Sequence, residues 1–147
     1  MKATHLMVNQ HREIESLFGK LLKSDDARIR TLILSDLRSM LEIHMTIEES
    51  FFYPAYRLVA GTQRGTDLIL EAREEHHVVD LILADLPKSD PMAERFDARL
   101  KVLRKFVESH YEREEREIFP DAESKLGREH LEELGARMGE RASHLST

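Results

Sequence analysis

The sequence predicts an all-α protein: an antiparallel up-down-up-down four-helix bundle with a short fifth helix at the C-terminus. Three observations predict it. Apolar residues recur at helical spacing through four stretches of the 147-residue chain, with capping and turn residues between them. The pattern of the first two stretches returns in the next two. Histidine and glutamate interrupt the apolar stripes at matching places in both halves.

The first helix is expected from about Thr4 to Lys23, with Met7, Ile14, Leu17, Phe18, Leu21 and Leu22 on its stripe and His11 in phase with them. Ser24-Asp25-Asp26 offers capping side chains to a second helix. Its core face reads Ile33, Leu34, Leu37, Leu41, His44, Glu48 and Phe51, so ligand-type residues stand where leucine is expected. Pro54 removes a backbone donor and should kink or end this helix, with Ala55 to Val59 able to continue it for a turn or more before Gly61. A third helix spans about Thr66 to Leu86, carrying Leu68, Ile69, Ala72, His76, Val79, Ile82, Leu83 and Leu86 on one stripe. His77 lies about 100° further round. Pro87 to Pro91 forms a turn in which Asp90 caps the next helix and Pro91 takes its first position. The fourth helix runs to about Phe119 with Phe96, Leu100, Leu103, Phe106, Val107, His110 and Glu114 inward. Beyond Pro120 a shorter helix, Asp121 to about Glu140 and interrupted by Gly127, Gly135 and Gly139, packs across one end.

Composition narrows the function classes. A chain of 147 residues, 41% apolar, fits one domain over 1–147, with the bundle at about 4–119 and the C-terminal extension at about 121–142. The net charge is −6 and basic residues are interspersed with acidic ones, which argues against nucleic acid as a partner. No apolar run is long enough to cross a bilayer and the N-terminus lacks the apolar core of a signal peptide, so no membrane partner and a cytoplasmic location are expected. Without cysteine, any metal must be held by nitrogen and oxygen, and eight histidines supply the nitrogen.

The chemistry concentrates in one repeated motif. His44 to Pro54 and His110 to Pro120 both read H-x-x-x-E-E, four residues, then proline. Positions i and i+4 share a helix face, so each copy presents an imidazole beside a carboxylate. Laying His11 over His76 aligns Ile14 with Val79, Leu17 with Ile82, Phe18 with Leu83 and Leu21 with Leu86, and it selects His76 over His77. His11 and His44 are 33 residues apart and His76 and His110 are 34 apart, which makes each half a helical hairpin with its turn near the midpoint.

The inward polar set is therefore His11, His44, Glu48, His76, His110 and Glu114. Four imidazoles and two carboxylates suit two ions, each ion taking two histidines and each carboxylate bridging both. Iron fits such a donor set best, and manganese or zinc could occupy it. Burying two carboxylates without a cation would cost several kcal/mol each. Glu49 and Glu115, at i+5, rotate off the stripe, and His5, His130 and His144 read as surface residues.

These residues resemble the hemerythrin family, specifically the small bacterial HHE cation-binding domains. The resemblance rests on His11-Arg12-Glu13-Ile14, on His44-x-x-x-Glu48-Glu49 with Phe52-Tyr53-Pro54, on Glu75-His76, and on His110-x-x-x-Glu114-Glu115 with Ile118-Phe119-Pro120. It implies a bundle around a non-haem diiron centre bridged by two carboxylates and an oxo or hydroxo group. Two departures stand out. Oxygen-carrying hemerythrins have a histidine where this chain has Ala72, and an aspartate at i+5 where it has Glu114 at i+4. The centre is then expected to be more open and more nearly symmetric, which runs against reversible oxygen carriage; Glu71, Glu75 or a tyrosine stands near enough in sequence to fill the gap. The expected partner is a small diatomic ligand or peroxide, so that the protein binds or reacts with O2, NO or peroxide in sensing, stress response or iron handling. The alternatives are a diiron enzyme that degrades peroxide or handles NO, with Tyr53, Tyr111 or Glu49 as proton donor, and an iron-dependent protein-interaction module.

Overall fold

Helices take up nearly the whole chain, and no strand is present, in the computed structural model, which describes residues 1–147. The first helix, α1, is Ala3–Lys23. Asp26 caps α2 (Ala27–Ile47) by accepting from the Ile29 amide at 3.0 Å, as its sequence context predicts. A π-helical turn, Glu48–Phe52, carries the rod into α3 (Tyr53–Ala60), which ends at Gly61 with φ of 67°, a left-handed value suited to glycine. Thr62 then caps α4 (Gln63–Asp85), followed by a 3-10 turn over Leu86–Lys88. The helix α5 (Glu94–Arg113) passes through a second π turn, Glu114–Ile118, into α6 (Phe119–Leu126), and α7 (Arg128–Leu145) follows.

Three expectations need correction. Pro120 does not end its helix: the fourth rod continues to Leu126, just as the second passes Pro54 and takes the continuation open to it, to Ala60 before Gly61, because each proline follows a π turn that already lacks the regular i→i−4 bonds. In the first copy the Arg73 guanidinium takes up the Glu49 carbonyl, whose π-register partner would have been the missing Pro54 N–H. The fifth helix accordingly starts at Arg128, not Asp121. Gly127, at φ 81°, makes the break, whereas Gly135 and Gly139 lie inside α7. Pro91 is not the first residue of a helix either. Asp90 accepts from the Met92 amide in a local turn, and α5 begins at Glu94.

Packing places α1 against α2, α5 and α7, α4 against α5, and α3 against α6. The apolar stripes build two separate clusters. One holds Met7, Ile47, Phe52, Tyr56, Ile69 and Ile118 with Leu131, Leu134 and Met138 of α7. The other holds Ile14, Phe18, Leu21, Leu37, Leu83, Leu100 and Leu103. Along α1, Met7 belongs to the first cluster and Ile14 to the second, with His11 between them. The same order holds on α4, from Ile69 through His76 to Leu83. The histidines thus form a polar layer between two dry cores.

Candidate metal centre

All six residues singled out in the sequence meet in that layer, and none exposes more than 4% of its surface. His11 comes from α1, His44 from the last turn of α2, His76 from the middle of α4 and His110 from the last turn of α5. Glu48 and Glu114 open the two π turns, one turn beyond His44 and His110. The Nε2 atoms of His11 and His44 lie 3.2 Å apart. Glu114 Oε1 is 3.4 Å from His11 Nε2 and 3.3 Å from His110 Nε2. Glu48 Oε1 is 3.3 Å from His44 Nε2 and 3.1 Å from His76 Nε2. Each carboxylate therefore reaches an imidazole of both pairs. His11, His44, Glu48 and Glu114 offer one group of converging ligand atoms, and Glu48, His76 and His110 a second.

The donor set fits a cation on a direct observation. Glu48 Oε2, Glu114 Oε1 and His110 Nε2 are buried without a hydrogen-bond partner. Two lone-pair oxygens left unsatisfied in a dry layer are costly unless something positive stands against them. Protons do part of that work in the metal-free chain. Burial opposes charge on His110, but the Glu114 charge beside it and the hydrogen bond it donates to Glu75 outweigh burial and lift the imidazole to about 10. Burial likewise opposes charge on His76, and the neighbouring Glu48 and Glu49 carboxylates raise it to about 9. Burial also works against the Glu114 carboxylate, yet the His110 charge and the nearby His11 imidazole hold it well below the usual range. His44 alone is pushed down, by burial. A metal ion would replace these protons at the same atoms.

With Nε2 turned inward, Nδ1 carries the proton and must find an acceptor on the outer side. His11 Nδ1 donates to Glu115 at 2.7 Å, His110 Nδ1 to Glu75 at 2.9 Å and His44 Nδ1 to Gln10 at 2.7 Å. His76 Nδ1 faces Glu49 at 3.7 Å. Arg12, Arg113 and Arg73 pair with Glu115, Glu75 and Glu49 in turn. Glu49 and Glu115 thus stand off the ligand stripe, as their i+5 positions imply, but behind the imidazoles.

The Tyr53 hydroxyl enters the layer between the carboxylates, 2.8 Å from Glu114 Oε2, 3.2 Å from Glu48 Oε1 and 3.3 Å from His76 Nε2. Burial, with the Glu114 and Glu48 charges, raises it well above an ordinary phenol. Tyr111 stacks on His11 with ring centroids 3.7 Å apart. Of Glu71, Glu75 and the tyrosines near the gap at Ala72, Tyr53 is the one that brings a polar atom to an inward imidazole nitrogen, His76 Nε2. Glu71 is exposed and paired with Arg113, and Glu75 lies behind His110. Gln10 and Glu75 as orienting partners were not apparent in the sequence, although each directly precedes a stripe histidine. His5, His77, His130 and His144 take no part.

A family model, the hemerythrin HHE cation-binding domain, matches residues 2–137. The chain belongs to this family. The HHE domain is similar, at 28% identity over 99% of its length and 88% of theirs, to uncharacterized proteins of Mycobacterium tuberculosis and Mycobacterium bovis. It also resembles the crystal structure of a hemerythrin HHE cation-binding domain-containing protein from Mycobacterium kansasii, with a TM-score of 0.85 and 26% identity over 99% of this chain and 87% of that one. Cation binding and an all-helical fold follow from the family and the ligand cluster together. No helix of the HHE domain is long and apolar enough to cross a membrane.

Proposed function

We propose that this HHE domain is a non-haem diiron protein that binds or reacts with O2, nitric oxide or peroxide. His11 and His44 would hold one ion and His76 and His110 the other, with Glu48 and Glu114 available to both. The observation that carries this reading is the pair of shared carboxylates, each with one buried oxygen that lacks a hydrogen-bond partner. The reading treats the chain as one domain, an antiparallel up-down-up-down bundle whose midpoint is the ligand layer.

Bound iron would supply open coordination positions and a ferrous–ferric couple. The chain supplies the rest. Glu115, Glu75 and Gln10 fix the tautomer and tilt of three imidazoles, so the ligand atoms converge before a metal arrives. The two apolar clusters keep bulk water from the layer. Ala72, buried in the apolar cluster beside the layer, offers no ligand atom where a further histidine would stand.

A second reading, peroxide or nitric oxide turnover, draws support from Tyr53. Its raised hydroxyl keeps a proton at Oη within 2.8–3.2 Å of both carboxylates, where it could be donated to a reacting oxygen. The test is anaerobic reconstitution with ferrous iron, followed by metal analysis and absorption spectra on adding O2, NO or hydrogen peroxide. We expect two irons per chain and a spectrum changed by at least one of the three. Two bound irons indifferent to all three would overturn the reading, and manganese or zinc retained in preference to iron would replace the metal. Peroxide turnover that falls about 100-fold in Tyr53→Phe with iron retained would select the enzyme.

A further inference from the structure

The duplicated halves are not equal behind the imidazoles. In the alignment that superposes His11 on His76, Gln10 falls on Glu75, and each backs the second histidine of its own hairpin: Gln10 accepts from His44 at 2.7 Å, Glu75 from His110 at 2.9 Å. Glu49 and Glu115 are likewise equivalent, each behind the first histidine of the opposite hairpin, but only Glu115 hydrogen-bonds: it accepts from His11 Nδ1 at 2.7 Å, whereas Glu49 stands at ion-pair distance, 3.7 Å from His76 Nδ1. One pair, His76 and His110, therefore has two carboxylates behind it, one hydrogen-bonded and one acting by its charge. The other, His11 and His44, is backed by one carboxylate and one neutral amide.

From this we infer that Gln10 makes the two metal positions electronically unequal, leaving the ion held by His11 and His44 the more readily reduced of the two. The inference rests on the diiron reading above. A carboxylate accepting from Nδ1–H draws that proton towards itself and makes Nε2 a stronger donor, and a carboxylate at ion-pair distance acts through its charge; both favour the more positive metal, whereas a neutral amide oxygen does so weakly. Glu115, Glu75 and Glu49 are carboxylates paired with arginines, whereas Gln10 is an amide that carries no charge at any pH. The surroundings push the same way. The Tyr53 hydroxyl lies 3.3 Å from His76, whereas its counterpart Phe119 and the ring of Tyr111 present apolar faces to His11. An apolar wall disfavours added positive charge. The first-sphere ligands are near symmetric; the second copy is the anionic side.

The experiment is a potentiometric titration of the iron-reconstituted protein, followed by electron paramagnetic resonance, with iron content measured on each sample. Wild type should lose its electrons in two separated one-electron steps. Gln10→Glu gives both positions two carboxylates, and Glu75→Gln gives both positions one, so each should narrow the separation although they change the total charge oppositely. Glu115→Gln, which leaves one position with none, should widen it. A purely structural role would not produce that pattern of signs. A single two-electron step in wild type, or a separation that Gln10→Glu leaves unchanged with two irons bound, overturns the inference while leaving the diiron reading intact. Fewer than two irons in wild type overturns the diiron reading itself, and this inference with it.

Discussion

At the scale of single residues, the ligand layer works because three of its four imidazoles, His11, His44 and His110, are held from behind by a hydrogen bond as well as turned to the front. Removing an outer partner should therefore be felt at the metal. Glu75→Ala is expected to weaken iron binding about 10–100-fold in competition with a chelator, because it frees the His110 ring to rotate. His77→Ala, one residue from His76 but exposed, should leave affinity unchanged. Protonation gives a second handle. In the metal-free chain His76 and His110 stand near 9 and 10 against 6.5 for a free imidazole, so their protonated forms favour the folded state. That contribution is complete below about pH 6.5 and is lost as pH rises through 9 to 10. Urea unfolding of metal-free protein should thus show stability falling between pH 7 and pH 10, and the fall should be blunted when iron holds the imidazoles unprotonated. A flat or rising profile for the metal-free chain would contradict this account of the layer.

At the scale of elements, the stripes and the breaks at Asp26 and Gly61 were legible, and the courses past Pro120 and around Pro91 were not. His11, His44, His76 and His110 announce themselves because a 3.6-residue period places them among leucines, and tertiary packing had little room to move them. At the prolines a missing N–H reads as a kink or helix end, while a π turn that closes two residues earlier absorbs the defect without ending the rod. Gln10, Glu75 and the Tyr53 hydroxyl lay beyond reach for another reason: what a residue beside the stripe touches depends on the spacing and tilt of a neighbouring helix. Gly135 misled in the same way as Pro120. It is no break in α7; a Cβ there would stand 2.1 Å from the Met1 carbonyl oxygen and 2.8 Å from the Ala3 amide nitrogen, so its bareness lets α7 lie against the start of α1. Gly135→Val should cost about 1–3 kcal/mol in denaturant unfolding. Gly139→Ala meets nothing within 4 Å and should stabilise by up to about 1 kcal/mol through helix propensity. Equal effects at the two positions would refute the packing argument.

At the scale of the whole molecule, two apolar clusters sandwich one polar layer, so folding and metal binding share their free energy. The layer is the weak plane of the metal-free bundle, since it buries lone pairs that nothing in the chain satisfies. Ferrous iron at about 100 times its dissociation constant should stabilise the fold by about 2.7 kcal/mol and raise Tm by several degrees, an effect a chelator reverses. The measurement closest to the central claim is metal content after reconstitution with iron and removal of the excess. Wild type, His77→Ala and His130→Ala are predicted to retain two irons per chain, whereas His44→Ala and His110→Ala each retain fewer. Equal iron in all five proteins would contradict the assignment of the layer as the metal centre.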